Sequence, residues 1–226
     1  MEDCYVKDIC MNCNTTKCNN DCYTKNYYKR VLNKSNIPAK YIHANQIKLV
    51  PNNEYDLKQF RKLAAIRNDI QDFVKEGKCI YIYSPYCGNG KTTWAIKLAI
   101  EYLHTLETPR TMPVKFVNTQ SMIADWKNRF NDDLDTTPLF HLIQDLKECD
   151  LAIFDDIGIT TLTESDISLL FSIIDYRLTN NKSCIFTSNN VPSMLPSKVG
   201  VRLGDRINKY SKCIGFKQEV SGREVI

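Results

Sequence analysis

The sequence has no apolar run long enough to cross a bilayer. Its longest stretches, such as Cys79-Ile80-Tyr81-Ile82-Tyr83, fall far short of the roughly 20 residues of a membrane-spanning helix. The start, MEDCYVKDIC, is acidic and polar rather than signal-like, so the expectation is a soluble, cytoplasmic chain with no membrane partner. There is no internal repeat and no low-complexity tract, which sets aside solenoids and biased linkers. A strong charge imbalance is also missing: the net charge is +4. All of that excess sits in residues 1–50, with eight Lys/Arg against four Asp/Glu, and the rest carries 22 of each sign. Charge alone is therefore weak ground for nucleic-acid binding.

Cysteine, by contrast, is plentiful and clustered. Of ten, five fall within the first 22 residues: Cys4, Cys10, Cys13, Cys18 and Cys22. Without an export signal the compartment is reducing, so clustered thiols are expected to hold metal rather than pair as disulfides. Cys10-x2-Cys13-x4-Cys18-x3-Cys22 supplies four thiolates for one tetrahedral zinc ion, with Cys4 able to replace one of them. An iron–sulfur cluster or free thiols are the alternatives. With 226 residues, 43% of them hydrophobic, the chain can build one ordinary core plus an appendage. The break in composition and the turn-rich LVPNNEYDL place a boundary near residue 50. The expected units are a Cys-rich module, 1–50, and a second domain, 51–226.

Periodicity predicts helices over 57–75, 91–106, 119–130, 140–147, 165–178 and 198–208. Short apolar strands are expected over 79–84, 114–118, 150–155, 183–188 and 212–217. Strands alternating with helices imply right-handed crossovers and a mostly parallel α/β sheet covered on both faces. A basic helix within TKNYYKRVLNKSNIPAKYI is expected to stop near Asn36-Ile37-Pro38. Its Tyr27, Tyr28, Lys29 and Arg30 are candidates for contact with single-stranded DNA, against the ordinary reading of a solvated helix face.

The first strand runs into Ser84-Pro85-Tyr86-Cys87-Gly88-Asn89-Gly90-Lys91-Thr92-Thr93. A phosphate loop needs a strand, convergent backbone N–H groups and a helix N-terminus aimed at one point. Gly88 and Gly90 let the backbone curl, Lys91 can reach terminal phosphates, and Thr92 offers a hydroxyl to Mg²⁺, with Thr93 a weaker candidate. Pro85 stands where the G-x-x-x-x-G-K-[ST] pattern has its first glycine, and it removes one N–H. Residues 85–93 are thus the expected nucleotide-binding stretch. Leu151-Ala152-Ile153-Phe154-Asp155-Asp156 is an apolar strand ending in two carboxylates, the form needed to manage a metal and an attacking water. Asp155 is expected to hold Mg²⁺ with Thr92, and Asp156 to polarise the water. A third strand ends in Thr187-Ser188-Asn189-Asn190, whose amides can orient that water.

In the order GNGKTT, IFDDIG, FTSNN and GVRLGDRI, the chain resembles the AAA+ ATPases of the DnaC/DnaI helicase-loader group, which also takes in phage replication ATPases and the IstB transposition proteins. The resemblance covers roughly residues 57–226. It implies a five-stranded parallel sheet in the order 5-1-4-3-2, ATP-dependent self-assembly, and single-stranded DNA along the inner face. It makes Asn189 the sensor-1 amide and Arg206 the arginine finger that reaches a neighbouring subunit's ATP, with Arg202 the second candidate. Read without it, Arg202 and Arg206 are an i, i+4 solvated face. Arg223 is its candidate sensor-2 arginine. Trp126, Lys127 and Arg129 lie where related loaders carry DNA-contacting helices. The S-x-I-P-x-x-Y segment after the cysteines resembles one in phage DnaC-like proteins, where it implies a grip on the hexameric replicative helicase. ATP hydrolysis in a bacterial or phage-infected cell is the implied activity, and the shorter reach of Asp156, where glutamate is more usual, is expected to slow it. An IstB-like transposition ATPase and an ATP-switched adaptor are the alternatives.

Overall fold

Side-chain alternation along five short strands decides the architecture. In the computed structural model, which describes residues 22–106, 110–130 and 135–218, the strands are β1 (Cys79–Tyr83), β2 (Val114–Asn118), β3 (Leu151–Asp155), β4 (Ser183–Ser188) and β5 (Ser211–Gly215). All pair in parallel, in the order β2-β3-β4-β1-β5. Read from the other edge this is the 5-1-4-3-2 order that the resemblance implies.

Because neighbouring residues of a strand face opposite ways, β1 to β4 each feed two cores, and β5 feeds one. Ile80, Ile82, Phe116, Ile153, Ile185 and Ile214 point to one side. There they meet α1 (Tyr23–Lys34), α2 (Glu54–Asn68), α3 (Ile70–Lys75) and α4 (Lys91–His104). Tyr81, Ala152, Phe154, Cys184 and Phe186 point to the other. That face is covered by α5 (Thr119–Lys127), α6 (Thr137–Glu148), α7 (Glu164–Thr179), α8 (Leu195–Val199) and α9 (Val201–Tyr210). Each large side chain so buried is worth about 1.5–3 kcal/mol relative to exposure. No helix among the described residues is long and apolar enough to cross a membrane.

Two helices expected to be continuous are broken. The stretch 57–75 divides at Asp69, where the backbone leaves the helical region between α2 and α3. The helix expected over 198–208 divides at Gly200, whose φ of +88° suits glycine; a Cβ there would come within 3.1 Å of Ile167.

The N-terminal helix is not a free appendage. Tyr27, Tyr28 and Val31 of α1 are buried in the α1–α4 core, and the Tyr28 hydroxyl donates to the Leu103 carbonyl at 2.8 Å. Burial pushes the Tyr28 phenol up to about 12. The two tyrosine rings are therefore core residues and not a stacking platform for bases, which corrects that part of the sequence reading; Lys29 and Arg30 stay exposed. The core thus runs across the boundary drawn at residue 50. Just after α1, the Ser35 carbonyl accepts from the Phe116 N–H at 2.7 Å, which covers part of the exposed edge of β2. Cys22 stands at the start of α1. Cys4, Cys10, Cys13, Cys18 and Arg223 lie outside the described residues.

Candidate nucleotide site

The parallel sheet brings the C-terminal ends of β1, β4 and β3 side by side, the edge where open α/β sheets take ligands. The loop after β1 wraps around its own lysine. Lys91 Nζ donates to the Tyr86 carbonyl at 2.9 Å and to the Ser84 carbonyl at 3.4 Å. Gly88 and Gly90 have φ of +81° and +87°, left-handed values that let the backbone curl. Asn89 ties the loop down by donating to Ser84 Oγ. Gly90 caps α4, whose N-terminus therefore opens at the loop. Pro85 is exposed and is not part of the cavity wall.

Across the sheet edge, Thr92 Oγ1 donates to Asp155 Oδ1 at 2.8 Å. Thr187 at the end of β4 donates to the same oxygen at 2.6 Å. The Thr187 hydroxyl also accepts the Asp156 N–H at 2.9 Å, so one threonine holds the Asp155 carboxylate and the Asp156 backbone. Asp156 has a φ of +59°, uncommon for a residue with a Cβ. The turn is held by three bonds from β4 and its end: Ile157 N–H to the Thr187 carbonyl (2.9 Å), Ser188 Oγ to the Ile157 carbonyl (2.6 Å), and Asn190 Nδ2 to the Gly158 carbonyl (2.7 Å). Such a clamp fits a conformation kept for its side-chain direction.

These elements enclose a cavity of about 570 Å³, within the range of small-molecule sites. Cys87, Gly88, Asn89, Gly90, Lys91, Thr92, Asp155, Asp156 and Asn189 all line it. Tyr86 and Thr93 do not, although Tyr86 lends its carbonyl to Lys91. Arg202 and Arg206 lie elsewhere: Arg206 pairs with Asp175 of α7 at 2.8 Å, and the Arg202 guanidinium sits 5.3 Å from the Phe171 ring centre. Trp126 donates to Ser165 Oγ at 3.1 Å and has the Arg129 guanidinium 3.7 Å from its ring centre. The sequence reading missed the far wall, made of Phe116, Asn118 and Gln120 with Pro38, Lys40 and Tyr41. It also missed Thr187, whose role is a cross-strand contact with no local signature.

Burial dominates the electrostatics. It pushes the carboxyls of Asp155 and Asp156 up; the Asp156 charge adds to the rise at Asp155, and Lys91 opposes the rise at both. Burial pulls Lys91 down against the opposing pull of Cys87 and the two aspartates. A buried Asp155 and a half-buried Asp156, beside a hydroxyl and a glycine-shaped loop, fit a nucleotide bound with a divalent cation. Without that cation, a raised carboxyl costs stability as pH climbs from the ordinary carboxylate range through the raised value, because the unfolded chain releases its proton first. Asp155→Asn keeps an acceptor for Thr92 and Thr187. It is expected to melt a few degrees higher than the parent at neutral pH, to show no gain in acid, and to lose its response to Mg²⁺ with nucleotide, as read by thermal denaturation.

Residues 24–195 match the family of the IstB-like ATP binding protein. Among solved structures, the DnaC helicase loader superposes with a TM-score of 0.65 at 21% identity, over 80% of this chain and 100% of that one. DnaI gives 0.62 at 17%, over 79% and 94%. The replication initiator DnaA bound to AMPPCP and single-stranded DNA gives 0.57 at 19%, over 80% and 51%. At such identities the likeness establishes the fold alone. A search among curated proteins gives no match. The sequence match spans well over half of the chain and takes in the loop, both aspartates and the β4 tip: this protein belongs to the IstB-like ATP-binding family of AAA+ proteins.

Proposed function

We propose that the chain is an ATP-hydrolysing loader that places a hexameric replicative helicase on single-stranded DNA during DNA replication. The observation that carries this reading is the meeting of Lys91, the Thr92–Asp155 pair, Asp156 and Asn189 at one cavity in a chain with the fold of DnaC and DnaI.

Each residue has a role that its position supports. The Lys91 ammonium, held by loop carbonyls, turns to the terminal phosphates. Thr92 and Asp155 would hold Mg²⁺, which supplies positive charge on the phosphate oxygens. Asp156, fixed by its clamped turn, orients a water and takes its proton, and Asn189 positions that water or the γ-phosphate. Arg206 leaves Asp175 when a second subunit docks, and its guanidinium then stabilises charge on that neighbour's phosphoryl group; Arg202 is next in line. Cys10, Cys13, Cys18 and Cys22 hold zinc in a module that grips the helicase. Release of the helicase follows ATP turnover, which the short reach of an aspartate at 156 keeps slow.

The family match itself favours a second reading, a transposition ATPase that marks duplex target DNA. Binding to fluorescent oligonucleotides with ATP separates the two. The loader reading expects tighter binding to single strands, weakening steeply with salt. A clear preference for duplex would favour transposition and overturn the loader.

A further inference from the structure

The segment between α1 and α2 forms part of the wall of the nucleotide cavity. At one end it is pinned to the outer strand: Ser35 accepts from the Phe116 N–H at 2.7 Å, and Lys115 Nζ donates to the Lys34 carbonyl at 2.9 Å. At the other end the Ile47 carbonyl accepts from Lys97 Nζ of α4 at 2.5 Å, and Leu49 lies against Gly90 of the loop. Ile37, Tyr41 and Ala44 are buried between these anchors, and a turn closes with Tyr41 N–H on the Pro38 carbonyl at 2.8 Å. The strap is thus a built part of the domain, and its Pro38, Lys40 and Tyr41 face the same cavity as Lys91 and the two aspartates.

Topology says which end of a nucleotide this wall meets. The sheet runs β2-β3-β4-β1-β5, with the loop after β1 and Asp155 at the end of β3. Lys91 and the Thr92–Asp155 bond therefore place terminal phosphates between β1 and β3. Phe116 and Asn118 of β2 line the cavity farther out in that direction, and the strap starts there. On this wall Lys40 is exposed and forms no ion pair among the described residues. Its ammonium rests 5.0 Å from the centre of the Tyr41 ring, a ring that is itself buried. A cation so presented, opposite two carboxylates that a metal would neutralise, suits one more anionic oxygen.

Taking the cavity as an ATP site, as proposed above, we infer that Lys40 binds the terminal phosphate of ATP. The strap is then a sensor that joins the N-terminal module to the nucleotide state. ATP draws residues 36–42 onto the phosphates; ADP, with no γ-phosphate, leaves Lys40 without its partner. Helix α1, which follows the cysteine cluster and leads into the strap, is thereby held differently before and after hydrolysis.

The test uses the full chain with Mg²⁺ and fluorescent forms of ADP and a non-hydrolysable ATP analogue. Lys40→Gln is expected to weaken the ATP analogue about tenfold or more while ADP affinity stays as in the parent, and Lys40→Arg is expected to restore the difference. Unchanged preference for the ATP analogue, or equal loss of both nucleotides, overturns the inference while leaving the ATP site itself intact. Hydrogen exchange on the unaltered protein gives a second reading without any variant. Amides of residues 36–42 are expected to exchange more slowly with the ATP analogue than with ADP, and equal exchange contradicts a sensor. A parent chain that binds neither nucleotide removes the ATP site, and the inference with it.

Discussion

Lys91→Ala is expected to lower ATP affinity by roughly a hundredfold or more. The lysine is the cation that the loop is shaped to hold. Its ammonium meets the Tyr86 carbonyl at 2.9 Å and lies in the same cavity as Asp155 and Asp156. Removing it leaves the carboxylates of Asp155 and Asp156 opposite the phosphates with no fixed positive group between them, so repulsion adds to the lost contact. Calorimetric titration with ATP and Mg²⁺ reads this directly. Binding within a few-fold of the parent would mean that the phosphates lie elsewhere. The fold is expected to survive, because the partners of Lys91 within the loop are carbonyls that water can satisfy once the side chain is gone.

Asp156→Asn is expected to separate binding from chemistry. The turn at 156 has a φ of +59°, a conformation that asparagine tolerates as well as aspartate does. The clamp acts on backbone groups, through Thr187 and Asn190. The variant therefore keeps the site's shape and loses only the carboxylate proposed to accept a proton from water. ATP affinity is expected to stay close to that of the parent, while the steady-state rate falls by about two to four orders of magnitude. If turnover survives, the proton goes to another group and the catalytic role of Asp156 is wrong. If affinity collapses as well, Asp156 holds the nucleotide or its metal rather than the water.

Much of this arrangement was legible because it rests on short-range patterns. Val114–Asn118 and Ser183–Ser188 emerge with the ends that their apolar runs suggested, since a buried parallel strand announces itself by composition alone. The glycines around Lys91 and the paired aspartates carried the site for the same reason. What escaped depends on distant contacts. Asp69 breaks a helix whose apolar pattern continues on both sides, because α3 must turn Ile70, Phe73 and Val74 into the core. Gly200 breaks another through a backbone angle that periodicity does not record. Tyr27 and Tyr28 look like an exposed aromatic pair beside Lys29 and Arg30, and only their docking on α4 shows them to be core. The strap was hidden most completely: IPAKY has the composition of a connector, and its place on the cavity depends on the Ser35 bond to β2.

That docking also shapes how the proposed helicase interaction must be tested. A truncation at residue 50 would strip Val31, Tyr41 and Ala44 from the core and confuse unfolding with lost binding. Substitution of the cysteines before α1 avoids this. The most direct measurement is capture of the purified hexameric replicative helicase by the full-length, zinc-replete chain in the presence of ATP. The account predicts that the helicase is retained, and that Cys10→Ser with Cys13→Ser loses it while ATP binding stays intact. Failure of the zinc-replete, ATP-bound chain to retain the helicase would contradict the loader.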